Sequence, residues 1–126
     1  MARYLFPLVV VVVVFLAFRW FTGGGERQSP EAVAHAIAGG AQVLDVRTDS
    51  EYAGGHVAGA VHANVLDAGF DDAVAGLDPA EPVYVYCASG ARSGRAASKL
   101  EALGFETVVN AGGLGDLSAA GVPTER

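Results

Sequence analysis

The single cysteine of this chain, Cys87, stands between a β-type run at residues 83–86 and a loop of small residues. That loop consists of Ala88, Ser89, Gly90, Ala91, Arg92 and Ser93. The thiolate is the reactive form of cysteine, and both a helix N-terminus and a nearby arginine lower the pKa of a thiol. Backbone N–H groups in such a loop can also bind an anion. The pattern therefore favours a reactive thiolate at Cys87 over the alternative, a small buried hydrophobic side chain.

The flanking segments alternate between helical and extended patterns. Helices are predicted at residues 29–38, 70–77, 93–103 and 114–120, and strands at residues 42–46, 83–86 and 106–109. Shorter features are a capped turn or short helix at 48–52, a loop at 54–60, an extended piece from Val61 and a turn at 110–113. This alternation predicts an α/β fold, a small parallel sheet flanked by helices on both faces. Because ligands bind outside the carboxyl ends of parallel strands, Cys87 is predicted to lie at the binding edge.

The charge balance excludes one class of partner. From residue 27 onwards the chain carries six basic and thirteen acidic side chains, a formal charge of −7. Phosphate contacts need clustered positive charge, so we predict no nucleic-acid partner. A single cysteine cannot form a disulfide within the chain, so the fold does not depend on one.

The N-terminal segment is apolar. Residues 4–18 carry no charge and lie between Arg3 and Arg19. A full membrane span needs about 20 apolar residues, but Arg19 can extend to the interface, where Trp20 and Phe21 are typical anchors. These features favour a membrane anchor. The alternative is a cleavable signal peptide, for which the chain lacks a clear small-x-small cleavage site.

The predicted organisation follows from that segment. Residues 1–22 form the anchor or uncleaved signal and contact the membrane through residues 4–21, residues 23–28 form a Gly-rich linker, and residues 29–126 form one domain. We expect a single-pass membrane protein. The basic residues on the two sides of the span are nearly balanced, so they do not determine which side of the membrane the domain faces. Of the two sides, we favour the extracytoplasmic one.

Three segments carry a resemblance to a known family. They are VLDVR at 43–47 with EY at 51–52 and GHVAGA at 55–60, the loop CASGARS at 87–93, and NAGG at 110–113. Over residues 29–126 the chain resembles the single-domain rhodaneses, which are thiosulfate and persulfide sulfurtransferases. It departs from the family pattern at Ala58, where proline is usual, and after the Gly-Gly pair, where a tryptophan is often found. Both departures concern packing and turn rigidity.

The resemblance implies an activity. Cys87 would be the catalytic nucleophile, residues 88–93 would bind the substrate, and no cofactor would be needed. The donor would be thiosulfate or a persulfide, and the acceptor a thiol or cyanide. Cysteine phosphatases share the fold but place five residues between cysteine and arginine, whereas four separate Cys87 from Arg92. A phosphatase and a non-catalytic binding module at the membrane stay open as alternatives.

Four further polar residues lie in the first segment, namely Asp45, Arg47, Glu51 and His56. We interpret them as supporting residues: an Arg47–Glu51 ion pair would fix the loop, since the two are four residues apart, and His56 would bond to backbone. The other histidines, His35 and His62, lack the spacing of metal ligands, and no metal site is predicted. Arg95 and Lys99 are predicted to lie on a solvated helix face, from which Arg95 could attract anionic donors.

Overall fold

The computed structural model describes residues 25–126, so the predicted anchor lies outside the described residues. The strands are β1 (Glu26–Arg27), β2 (Gln42–Asp45), β3 (His56–Val57), β4 (Val61–His62), β5 (Val83–Cys87), β6 (Val108–Gly113) and β7 (Thr124–Glu125). The helices are α1 (Pro30–Ala38), α2 (Asp49–Ala53), α3 (Phe70–Ala73), α4 (Ala91–Ala102) and α5 (Leu114–Ala119). Within this part of the chain, no helix is long and apolar enough to cross a membrane.

Five strands form one sheet in the order β1-β6-β5-β2-β4, and all their pairings are parallel. β5 lies at the centre, and all of its residues are buried. A strand covered on both faces needs a continuous apolar run, which the VYVYC sequence supplies. The parallel sheet with helices on both faces confirms the predicted α/β fold.

Alternate residues of β5 face opposite cores. Cys87 and Val85 point to the face covered by α4, where Leu100 is buried. Tyr86 points to the other face, where Leu117 of α5 is buried. Two consecutive residues of one strand therefore serve different cores, and the thiol lies on the side of the sheet from which α4 begins.

Two helix starts follow directly from local sequence. Ser29 accepts a hydrogen bond from the Ala32 N–H at 3.2 Å and Pro30 occupies the first helical position, as predicted for α1. Thr48 and Glu51 form a reciprocal capping box at the start of α2, which confirms the predicted short helix. This box fixes the position of Glu51 at the edge of the sheet where β2 ends.

The structure differs from the sequence-based expectation in four segments. The helix expected at residues 70–77 ends at Ala73. Residues 26–27, placed in the linker, form β1 and pair with residues 109–110. Residues 110–113, expected as a turn, continue β6 beside β5, with an irregularity between Val85 and Cys87. The loop at 54–60 contains β3, which pairs with β7. Strands of two residues have no detectable period, and pairing with distant segments alone creates them.

Candidate active site

Cys87 ends β5, and its side chain is 1% exposed. The chain then turns through residues 88–90, and α4 begins at Ala91. Gly90 caps the helix with a φ of 99°, a left-handed conformation that glycine adopts without cost. Its N–H points back to the sulfur and donates to Cys87 Sγ at 2.9 Å. The loop thus covers the thiol, whereas the loop residues Ala88, Ser89 and Ala91 are exposed to solvent.

The electrostatic environment favours the thiolate. Burial acts against ionisation, but the backbone N–H groups of Ser93, Ser89 and Gly90 and the Ser93 side chain, whose hydroxyl oxygen lies 3.6 Å from Cys87 Sγ, together outweigh it. The pKa of the Cys87 thiol is therefore lowered from its ordinary value. The Gly90 and Ser93 N–H groups belong to the N-cap and first turn of α4, the helix end that the sequence had suggested. Neutral groups thus supply the largest favourable contributions, and a coulombic interaction also links Arg92 to Cys87. Such a ring of fixed donors can stabilise a negatively charged sulfur in the manner of an oxyanion hole.

A buried polar cluster holds the loop in this shape. The Ser93 hydroxyl lies 2.7 Å from Asn110 Oδ1 and 3.0 Å from the Gly90 carbonyl oxygen. Asn110 Nδ2 donates to the same carbonyl at 3.1 Å, and Asn110 Oδ1 accepts from the Gly112 N–H at 3.0 Å. Asn110 was predicted only as part of a turn. A polar residue between Val109 and Ala111 in an apolar strand was the available signal of a supporting role.

Gly113 is the second residue that sequence reasoning missed. It pairs with Cys87 in the sheet register. A Cβ atom at Gly113 would overlap the Ala88 carbonyl oxygen and would lie 2.9 Å from the Ala88 carbonyl carbon. The backbone of β6 therefore lies so close to the cysteine loop that no residue larger than glycine fits at position 113.

Arg92 forms an ion pair with Glu51. Its guanidinium donates to both carboxylate oxygens of Glu51, at 2.6 and 2.9 Å. These hydrogen bonds lower the pKa of Glu51 to about 2. The pair joins the loop after β5 to the helix after β2, so it positions the loop. The hydrogen bonds to Glu51 raise the pKa of Arg92 most, and the charges of Glu51 and Cys87 also raise it. The charge of Arg92 therefore still acts on the thiol, although its N–H donors are directed at Glu51.

The predicted Arg47–Glu51 pair is wrong, because Arg47 binds Asp45 instead. The Arg47 Nη2 atom lies 2.8 Å from Asp45 Oδ2 and also donates to the Gly55 carbonyl at 2.6 Å. The Tyr86 hydroxyl donates to Asp45 Oδ2 at 2.6 Å. Asp45 is completely buried, so its charge requires a close partner, which Arg47 supplies. This network lies on the face of the sheet opposite Cys87, where Tyr86 is buried.

His56 bonds to backbone, as predicted. Its Nδ1 atom lies 2.9 Å from the Tyr52 carbonyl oxygen, and its ring stacks on the Tyr52 ring at 3.7 Å. Its Nε2 atom lies 3.3 Å from Glu125 Oε1 in β7. His56 therefore contacts the C-terminal strand β7 through Glu125. Within residues 25–126, no three His, Cys, Asp or Glu side chains form a group that could hold a metal ion.

Comparisons with known proteins agree with this geometry. The family model for the "Rhodanese-like domain" matches residues 29–120. The chain is similar to "Thiosulfate sulfurtransferase GlpE" of Pseudomonas entomophila, at 34% identity over 100 residues, covering 79% of this chain and 90% of that protein. It is also similar to "Thiosulfate sulfurtransferase PspE" of Escherichia coli, at 37% identity over 75 residues, covering 60% of this chain and 72% of that protein.

A solved structure shares the fold. The crystal structure of a rhodanese-like domain protein from Staphylococcus aureus matches with a TM-score of 0.67 and 26% identity. The match covers 80% of this chain and 99% of that chain. The shared segment therefore includes most of the described domain.

Proposed function

The chain belongs to the rhodanese-like family, and on that premise we propose that it is a sulfurtransferase that carries a sulfane sulfur on Cys87. The observation that carries the proposal is the contact of 2.9 Å from the Gly90 N–H to Cys87 Sγ, in a loop whose hydrogen bonds lower the pKa of the thiol. The sulfurtransferase names of two similar proteins support the class of reaction.

The reaction has two steps and no net oxidation. The Cys87 thiolate attacks the outer sulfur of thiosulfate or of a persulfide; a new S–S bond forms, and the donor's own S–S bond breaks. With thiosulfate, sulfite leaves with the electron pair. A thiol or cyanide then attacks the outer sulfur of the Cys87 persulfide and regenerates the thiolate. The N–H groups of Ser93, Ser89 and Gly90, which lower the pKa of the free thiol, would also stabilise the charged outer sulfur of the persulfide.

The loop's dimensions support sulfur rather than phosphate as the group held. Ser93 stands where a cysteine phosphatase would have its arginine, and the Ser93 hydroxyl is buried against Asn110. Arg92 is turned to Glu51. No arginine of the loop is therefore available to bind the oxygens of a phosphoryl group, as phosphatase chemistry requires.

The lone cysteine limits the route of the sulfur. Cys87 is the only cysteine of the chain, so no second thiol within it can resolve a persulfide. The sulfur must pass to an external acceptor. We expect an acceptor to reach the outer sulfur past the exposed loop residues Ala88, Ser89 and Ala91, since Cys87 itself is buried.

Intact-mass analysis tests the proposal directly. The full-length chain in mild detergent is reduced, incubated with thiosulfate and weighed; we expect the mass of one added sulfur, which cyanide then removes as thiocyanate. The Cys87→Ser variant keeps the size of the side chain and should gain nothing. A wild-type protein without the adduct, across thiosulfate and persulfide donors, would refute the enzymatic proposal and favour a binding module. Cys87-dependent hydrolysis of an aryl phosphate would favour a phosphatase instead.

The membrane location is a separate part of the proposal. It rests on the uncharged run at residues 4–18 and the aromatic residues Trp20 and Phe21 that follow it. We expect the chain to stay with membranes after carbonate extraction, and externally added protease to degrade the domain in intact cells or spheroplasts. Release by carbonate would contradict the anchor, and protection from protease would place the domain on the cytoplasmic side.

A further inference from the structure

Arg27 lies beside the cysteine loop although it is 60 positions away in sequence. It ends β1 and is paired in the sheet register with Asn110, the residue that binds the Gly90 carbonyl. A Cβ atom built on Gly90 would lie 3.8 Å from Arg27 Nη2. The guanidinium therefore lies against the turn residue whose N–H contacts Cys87 Sγ.

Among the described residues, Arg27 has no carboxylate partner, unlike Arg47 and Arg92. Arg47 is paired with Asp45, and Arg92 is paired with Glu51. The Arg27 side chain is exposed, and within residues 25–126 it takes part in no ion pair and no side-chain hydrogen bond. Its positive charge is therefore available to a ligand at the loop.

The net negative charge of the domain makes Arg27 relevant to the binding of anions. Residues 25–126 contain six basic and fourteen acidic side chains, so the domain as a whole repels an anion. The exposed loop residues Ala88, Ser89 and Ala91 carry no charge. An anionic substrate that approaches Cys87 therefore needs a local cation, and Arg27 is placed to provide it.

The chemistry of the donor fits a guanidinium. When the outer sulfur of thiosulfate contacts Cys87, the negatively charged oxygens of its other end point away from the thiol. A planar guanidinium offers parallel N–H donors to such oxygens, which a lysine ammonium does not. We infer that Arg27 binds the anionic end of the sulfur donor and sets the preference of the site for anionic over neutral reagents. This inference rests on the proposed sulfurtransferase function.

The test compares Arg27→Gln with Arg95→Gln in the full-length chain. Both variants lose one exposed arginine charge, but Arg95 lies on α4, one turn beyond the loop. We expect Arg27→Gln to raise the half-saturating thiosulfate concentration for adduct formation about three- to tenfold, the range for losing an exposed charged contact. Arg95→Gln should stay within about twofold, and Arg27→Lys should lie between wild type and Arg27→Gln. Equal effects of the two glutamine variants would mean a general field effect and would overturn the inference.

A second readout does not depend on sulfur transfer. Iodoacetate and iodoacetamide alkylate a thiol by the same chemistry, but only iodoacetate is an anion. Arg27→Gln should lower the ratio of the iodoacetate to the iodoacetamide rate at Cys87, and Arg95→Gln should not. Equal slowing with both reagents would show a disturbed loop and refute a role in anion binding. A changed ratio in a protein that takes no sulfur would remove the proposed function and leave Arg27 as an anion-binding residue.

Discussion

Gly113→Ala should disable the cysteine loop without straining the backbone of the substituted residue. Gly113 has φ −114° and ψ 153°, an extended conformation that alanine adopts freely. The effect is therefore steric. The new methyl carbon would overlap the Ala88 carbonyl oxygen and would lie 2.9 Å from its carbon and 3.4 Å from Ser89 Cα.

The size of the effect follows from these contacts. Non-bonded heavy atoms prefer separations of about 3.5 Å or more, so the Ala88 peptide must move by about 1 Å. Overpacking of this kind destabilises a protein by about 1–3 kcal/mol. A displacement of about 1 Å at a reacting group can also cost about a hundredfold in rate. Because Ala88 follows Cys87 directly, the sulfur moves with it.

Gly115→Ala is the matched control. Gly115 lies in α5 with no atom within 4 Å of a built Cβ, so alanine there should leave the site intact and stabilise the helix by about 0.5–1 kcal/mol. Urea unfolding and the rate of adduct formation with thiosulfate measure both effects. Wild-type stability and rate in Gly113→Ala would refute the close approach of β6 to the loop. An equal loss in both variants would mean that the C-terminal segment is simply intolerant of substitution.

Further predictions concern ionisation and buried hydrogen bonds. Ser93→Ala removes the hydroxyl that lies 3.6 Å from Cys87 Sγ and lowers the pKa of the thiol, so the inflection of the iodoacetamide rate should move to higher pH; an unchanged profile would show that the hydroxyl does not lower the pKa. Tyr86→Phe removes a buried hydroxyl that donates to a carboxylate and accepts from a backbone N–H, and should cost about 1–3 kcal/mol in urea unfolding; a neutral result would contradict this network. The folded-state pKa of Glu51, about 2, lies below its ordinary value of 4.5, so its stabilising effect is full above about pH 4.5 and is lost as pH falls towards 2. Glu51→Gln should therefore reduce the difference in the free energy of unfolding between pH 6 and pH 3. An unchanged difference would show that the contact of Glu51 with Arg92 does not stabilise the protein in solution.

The cysteine loop could be predicted because it is continuous in sequence. The apolar run of β5, the cysteine, the small residues and the start of α4 follow one another, and each is determined by local preference. The same holds for the caps at Ser29 and Thr48, where a side chain bonds to backbone three residues away. Such short-range features need no knowledge of how the sheet is ordered.

The charged pairs could not be predicted in this way. Spacing suggested that Arg47 pairs with Glu51, but Glu51 binds Arg92, which is 41 residues away. Arg47 is held instead by Asp45, because a carboxylate without exposed surface loses its hydration and must be compensated at close range. Which carboxylate becomes buried depends on the strand order, and the strand order is a tertiary property.

What the sequence determined by itself is the candidate reactive group: a lone cysteine after a buried strand, followed by a loop with four residues between Cys87 and Arg92. What only the tertiary structure decided is the environment of that group. β6 brings Asn110 and Gly113 against the loop, and β1 brings Arg27 beside it. Parallel strands from distant parts of the chain end at one edge of the sheet, so residues without any sequence relation to Cys87 complete its site.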